Sequence, residues 1–246
     1  MAANFYVAPE QLMKDRAEYA RKGIARGRAL VAMEYADGVI FASENPSGSL
    51  YKTSEIYDRI GFAAVGRYNE FESLRVAGIR LADVKGYQYA REDVTAKPLA
   101  NAYSQALGAS FMGDSKPFEV ELLIAQVDGD DQEGNDQDGD DQDATDDADR
   151  PGLELYHILY DGSIVDEQRF VAIGGETEPL TRALEQRFTP GMSRNEAVAA
   201  SVSALSEAAG RELTPDVLEV SGLDATRARR RFFRLRGAEL QAALEA

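Results

Sequence analysis

The 246-residue chain contains no cysteine and a single histidine, His157. Those counts exclude disulfides, a thiolate nucleophile and zinc sites built from Cys and His clusters, and any Ser-His-Asp triad would have to use His157. No run approaches the roughly 18 consecutive apolar residues that a membrane-crossing helix needs. The opening residues MAANFYVAPEQLMKDR also lack a basic segment followed by an apolar stretch. A cytoplasmic protein with no membrane partner is the expectation. Apolar residues make up 44% of the chain and charged residues 28%, which suits a globular fold with a substantial core. With no compositional shift to mark a linker, residues 1–246 read as one domain.

The net charge of -16 is concentrated in one place. Between Asp128 and Arg150, DGDDQEGNDQDGDDQDATDDADR carries twelve of the 43 acids and one of the 27 bases, so the remainder has 31 acids and 26 bases, a net of -5. This stretch has no aliphatic residue larger than alanine and cannot bury enough apolar area to offset ordering its backbone. Residues 128–150 therefore read as an acidic, disordered surface insertion, a solvated brush that repels acidic clients or touches a basic partner. A calcium loop would need Asp at position one and Gly at position six. Counting back five from Gly134 or Gly139 lands on another glycine, so that register fails.

Elsewhere the periodicity alternates. Pro9 and Glu10 open a helix that carries Leu12, Arg16, Tyr19 and Ala20 and ends near Gly23. ALVAMEY (29–35) and GVIFASE (38–44) form a hairpin across Asp37-Gly38, and GFAAVG (61–66) is a further strand. Residues 68–84 place Phe71, Leu74, Gly78, Leu81 and Ala82 on one helical stripe, and residues 97–111 place Leu99, Tyr103, Ala106 and Phe111 inward. FEVELLIAQV (118–127) alternates like a half-buried strand. LELYHILY (153–160) and IVDEQRFVAIG (164–174) flank the turn Asp161-Gly162-Ser163. Two more helices follow, one opened by Pro179 with Leu180, Ala183, Leu184 and Phe188. The other has Ser193 and Glu196 as a capping box before Val198, Val202, Leu205 and Ala209, with Gly210 closing it. A strand at 217–224, the basic run RARRRFFRLR (227–236) and a short helix end the chain. Helical pairs set between runs of hairpins predict an α+β fold, a four-layer α-β-β-α sandwich with two antiparallel sheets packed face to face.

Three stretches carry a resemblance to a known family: PEQLMKDRAEYARKGIARGRALVAMEYADGVIFASENPSGSLYKTSEIYDRIGF continuing to Gly108, YDGSIVDEQRFVAIGGETEP (160–179) and LDATRARRRFFRLRG (223–237). The chain closely resembles the alpha subunits of actinobacterial proteasomes. The resemblance implies a non-catalytic subunit, in a family where seven alpha subunits form each outer ring of a barrel and threonine proteases occupy the inner beta rings. Its implied partners are other copies of itself, beta subunits, an ATP-dependent unfoldase ring and unfolded proteins in transit, with clients tagged by prokaryotic ubiquitin-like protein. No cofactor, metal or nucleic acid is implied. The family's gating tail maps onto residues 1–8, with Ala2, Ala3, Asn4, Phe5, Tyr6, Val7 and Ala8 as gate residues and Phe5 and Tyr6 as adhesive contacts. The lysine that pairs with an activator's C-terminal carboxylate maps onto Lys52, and Gly23 lets the incoming backbone approach closely. The first helix, 9–22, is implied to pack on its ring neighbour.

The residues also bear on the rivals. An N-terminal-nucleophile hydrolase exposes Thr, Ser or Cys as its first mature residue, whereas this chain begins Met-Ala-Ala-Asn and contains no Gly-Thr pair. Gly48-Ser49 and Gly162-Ser163 are the nearest processing candidates, and both fall where turns are expected. A monomeric acidic binding module is the other alternative. The six arginines of 227–236 suggest a polyanion when taken alone, but Phe232, Phe233 and Leu235 interrupt them as the buried face of a strand would. His157, among apolar neighbours, reads as a strand residue and not as a base.

Overall fold

A computed structural model describes residues 8–113, 115–128 and 152–245. Helix α1 (Pro9–Ala25) starts on a proline whose missing N–H is one of the unpaired donors of the first turn anyway, with Glu10 in that turn and Lys22 in the last. Strands β1 (Leu30–Tyr35) and β2 (Gly38–Glu44) pair from Leu30 opposite Ser43 to Tyr35 opposite Gly38. Strands β3 (Thr53–Tyr57) and β4 (Ile60–Gly66) make a second hairpin. Then come α2 (Tyr68–Gln88), α3 (Ala96–Met112), β5 (Val120–Val127), β6 (Leu153–Ile158), β7 (Ile164–Asp166) and β8 (Phe170–Ile173). The chain continues through α4 (Thr177–Glu185), α5 (Arg194–Ala209), β9 (Leu218–Asp224), β10 (Phe232–Leu235) and α6 (Gly237–Leu244).

The strands form two five-stranded antiparallel sheets, in the orders β10-β9-β2-β1-β8 and β3-β4-β5-β6-β7. Side chains alternate across each sheet, so each sheet has two apolar faces to cover. Phe62, Leu122 and Ile124 pack beneath α2 and α3 with Phe71, Leu99 and Tyr103. On the opposite side, Met33, Ile40 and Val220 pack beneath α4, α5 and α6 with Leu184, Val198 and Leu240. Phe41, Leu30, Leu123 and Leu223 fill the layer between the sheets, which α1 closes at one end with Ala20 and Ile24. This is the four-layer sandwich that the pattern predicts. Phe41 and Phe62 are wholly buried, and each such side chain contributes about 1.5–3 kcal/mol of transfer free energy.

Several local expectations differ from the structure. The polar stretch TSEIY forms strand β3, an edge strand whose pattern lacks an apolar alternation. Residues 164–174 are two strands in different sheets, because the chain turns at Glu167–Arg169, where Arg169 takes a left-handed φ of 68°. Strand β5 is covered on both faces, not half-buried, since Leu123 and Ala125 face the other sheet while Leu122 and Ile124 face the helices. Leu12, Tyr19 and Leu81 are close to half-exposed, and Ala106 and Ala209 face outward. The capping box of Ser193 and Glu196 and the left-handed Gly210 cap form as expected. The residues 129–151 of the acidic stretch and 1–7 of the tail lie outside the described residues.

Candidate functional site

Lys52 lies just ahead of β3, and its backbone carbonyl accepts a hydrogen bond from the Ala64 amide at 3.0 Å. Its Nζ donates to the Arg28 carbonyl and to Ser43 Oγ, each at 2.8 Å. An ammonium carries three donors, so one N–H direction remains without a partner among the described residues. Burial pushes the Lys52 ammonium down to about 8, opposed by the nearby Glu219 carboxylate. The arrangement suits a point-charge donor held in place by its stem and two neutral acceptors and able to take one more anionic oxygen.

Glu219, on β9, organises this corner from inside. Its Oε2 accepts from the Lys52 amide at 3.0 Å and from Asn45 Nδ2 at 2.6 Å, and its Oε1 accepts from the Thr53 amide at 3.0 Å, Thr53 Oγ1 at 2.5 Å and Arg234 Nη1 at 2.8 Å. Burial alone would raise this carboxyl; the hydrogen bonds from Lys52, Thr53, Asn45 and Arg234 hold it below the usual carboxylate range. Arg234 also donates to the Thr53 carbonyl at 2.8 Å and lies 4.1 Å over the Tyr51 ring. Glu219 thus ties the edge strand β3 and the Lys52 backbone to the opposite sheet. Sequence reasoning missed Glu219 and Arg234, although an acid set between Leu218 and Val220 in an otherwise apolar strand is the kind of signal that finds such a clamp.

Gly23 sits near the end of α1. A Cβ built there would fall 2.0 Å from Glu119 Oε2, so the space that a side chain would need is occupied by a carboxylate of this chain. Glu119 is in turn 2.9 Å from Lys116 Nζ and 3.5 Å from Arg67 Nη1. Gly23 and Lys52 therefore meet different partners, and the segment after α1 links them, since Lys52 takes the Arg28 carbonyl. Helix α1 is fixed across the end of the sandwich by Arg16, whose guanidinium donates to the Phe111, Ser110 and Ser115 carbonyls at 2.7, 2.9 and 2.7 Å. The Phe111 carbonyl, in the last turn of α3, gains a partner in this way, and the Ser110 carbonyl, which also accepts from the Gly113 amide, gains a second. Of the gate residues, Ala8 is described, as the extended residue that precedes α1; Ala2 to Val7 lie outside the described residues.

His157, on β6, stands between two carboxylates, with Nδ1 3.4 Å from Glu167 Oε1 and Nε2 3.6 Å from Glu121 Oε2. Burial alone would lower its pKa; Glu121 and Glu167 more than offset that and raise it to about 9. Among the described residues no serine or threonine hydroxyl is bonded to it, and the half-buried ring sits between two carboxylates that favour its protonated form. Gly162-Ser163 forms the turn between β6 and β7, with Gly162 at a φ of 88°, where cleavage would sever that hairpin. The basic run contributes β10, with Phe233 and Leu235 buried. No group of three or more potential metal-ligating side chains occurs among the described residues, and none of the described helices is long and apolar enough to cross a membrane.

Comparison with known proteins decides the family. The model of the proteasome subunit family matches residues 24–134 and 145–222. The chain belongs to the proteasome subunit family. Proteasome subunit alpha of Acidothermus cellulolyticus is 52% identical over 246 residues, covering 98% of this chain and 97% of that protein. The alpha subunit of Kineococcus radiotolerans is 52% identical, covering 96% and 95%, and that of Mycolicibacterium smegmatis is 49% identical, covering 99% and 94%. These relatives are alpha-type subunits, and this proteasome subunit is of that non-catalytic type.

Proposed function

We propose that this chain forms the outer heptameric rings of a bacterial proteasome core, gates the pore with residues 1–8 and docks an ATP-dependent unfoldase through Lys52. Catalysis then belongs to partner beta subunits, and unfolded, tagged proteins pass through in transit. The observation that carries the docking part is the Lys52 ammonium, held by two neutral acceptors with one donor direction unpartnered among the described residues. A C-terminal carboxylate fits that vacancy. Gly23 belongs to the proposed site as a position where no side chain can be added without displacing Glu119. Ring assembly is supported by apolar side chains left uncovered on α1 (Leu12, Tyr19) and along α2 (Leu81, Val84, Tyr87), which suit burial against neighbouring subunits.

Co-expression with the beta subunit, native mass measurement and fluorogenic peptide turnover test this reading. A particle of about 28 chains is expected, with turnover that rises when residues 2–8 are deleted. Lys52→Ala should leave the particle and its basal turnover intact while stimulation by a peptide ending in the activator's C-terminal residues falls by tenfold or more, since each 1.4 kcal/mol of lost pairing is about tenfold in affinity. Peptide affinity in the unsubstituted particle should also weaken as pH rises through about 8, where the Lys52 amine loses its proton. A monomer indifferent to the beta chain, or a Lys52→Ala particle still fully stimulated, would overturn the assembly or the docking reading respectively.

A further inference from the structure

Strand β10 is the last strand of its sheet, with β9 on one side and no strand on the other. Along it, beside the start of α5 and α6, runs a cleft of about 640 Å3 lined by Arg194, Arg227, Arg230, Arg234 and Arg236, with Glu239 as its one acidic side chain among the described residues. Arg230 and Arg234 already hold carboxylates, those of Glu55 and Glu219. Arg194, Arg227 and Arg236 are exposed, and among the described residues no carboxylate is within ion-pair distance of them. Aromatic rings hold two of these three in place. Arg194 lies 5.5 Å over Phe233, and Arg236 lies 5.4 Å over Tyr51, whose hydroxyl accepts from Arg236 Nη2 at 2.9 Å. A stacked guanidinium loses little freedom when it takes a carboxylate in its fork. Arg229 belongs to the same basic run and is exposed, but does not line the cleft.

The cleft is continuous with the Lys52 corner. Tyr51 precedes Lys52 in the chain, and Glu219 accepts from both Arg234 Nη1 at 2.8 Å and the Lys52 amide at 3.0 Å. One carboxylate therefore separates the arginines from the Lys52 backbone. We infer that the arginine cleft along β10 takes an acidic, extended peptide segment of the docking partner, the residues that precede the C-terminal carboxylate placed at Lys52. The inference rests on the Lys52 docking reading and adds to the chemistry of that partner. Three observations favour the carboxylates of a peptide over the phosphates of a nucleic acid. The two cleft arginines that are already paired hold carboxylates. The outward backbone groups of the edge strand β10 lack a strand partner and can bond an extended peptide backbone, which a sugar-phosphate chain does not offer. A net charge of -16 repels a long polyanion across the whole surface, whereas a short acidic segment meets mainly the local field of the arginines.

The test is fluorescence anisotropy on the full-length chain purified after co-expression with the beta subunit, at about 0.15 M salt, where the Debye length is about 8 Å and distant charges are largely screened. The ligands are a labelled, C-terminally amidated oligoglutamate peptide, its glutamine counterpart, and the oligoglutamate extended by a glycine-serine linker to a free C-terminal carboxylate. The amidated oligoglutamate should bind at least about tenfold more tightly than the glutamine peptide. Arg227→Gln and Arg236→Gln should each weaken it by about tenfold, while Arg229→Gln, which removes the same charge outside the cleft, should leave it unchanged. The free carboxylate should add about tenfold or more through linkage of two contacts on one chain, and Lys52→Ala should remove that gain alone. If the gain is missing while the amidated peptide still depends on Arg227 and Arg236, the Lys52 reading fails and the cleft stands as an acidic-peptide site. No preference for glutamate over glutamine, an equal loss in Arg229→Gln, or an oligonucleotide of equal charge binding at least as tightly through the same arginines would overturn the inference.

Discussion

Replacing Glu219 by alanine should lower the free energy of unfolding by about 3–5 kcal/mol, the cost of removing one partner from a buried ion pair and leaving the other uncompensated. Five hydrogen bonds converge on this carboxylate, from Asn45, the Lys52 amide, the Thr53 amide, Thr53 Oγ1 and Arg234. Without it, Arg234, whose side chain is 15% exposed, keeps its charge in a site with little water to solvate it. The Lys52 and Thr53 amides lose their acceptors where β3 joins its sheet. Glu219→Gln should recover only part of the loss, because one carboxylate oxygen becomes an NH2 facing donors. Urea unfolding monitored by circular dichroism measures both effects, and a change below about 1 kcal/mol, the ordinary scale of one neutral hydrogen bond, would refute the clamp. The same substitutions should reduce activator stimulation, since the Lys52 backbone is held from Glu219.

How far the sequence discloses this architecture depends on whether an element's pattern reflects local or distant contacts. The capping box at Ser193, the Asp37-Gly38 hairpin and the helices around Phe71 and Leu99 are written in neighbouring residues, and the structure has them within a few positions. Strand β3 is not, because TSEIY is held by pairing with β4 and by Glu219 more than 160 residues away. The division of residues 164–174 between two sheets depends likewise on partners supplied by β6 and β1. Leu12, Tyr19 and Leu81 look like core residues by spacing but are substantially exposed in the isolated chain. Their periodicity fits burial against another subunit as well as burial within this one. Lys52 shows the same limit in the candidate site. No local motif distinguishes it from a solvated lysine, and its burial and neutral acceptors come from β2 and from the segment after α1.

His157 makes stability fall as pH rises from about 6.5 to about 9. Its pKa is about 9 in the fold and near 6.5 when unfolded, so within that window the native state holds a proton that the unfolded chain has released. The contribution is complete below the unfolded value and lost as pH passes the folded one, and at 1.36 kcal/mol per unit it amounts to about 3 kcal/mol. The groups responsible are Glu121 from β5 and Glu167 after β7, whose carboxylates flank the ring on its two nitrogen sides. Lys52 acts in the opposite sense, because a folded pKa near 8 against 10.5 unfolded makes stability rise with pH between those values. A single stability profile therefore mixes the two groups between about pH 8 and 9, and the His157→Gln variant separates them. Its urea midpoint should be lower than that of the parent at pH 6 and should approach the parent value by pH 9, with the Lys52 contribution common to both. Parallel profiles for the two proteins from pH 6 to 9 would mean that the ring does not carry its proton between the two carboxylates.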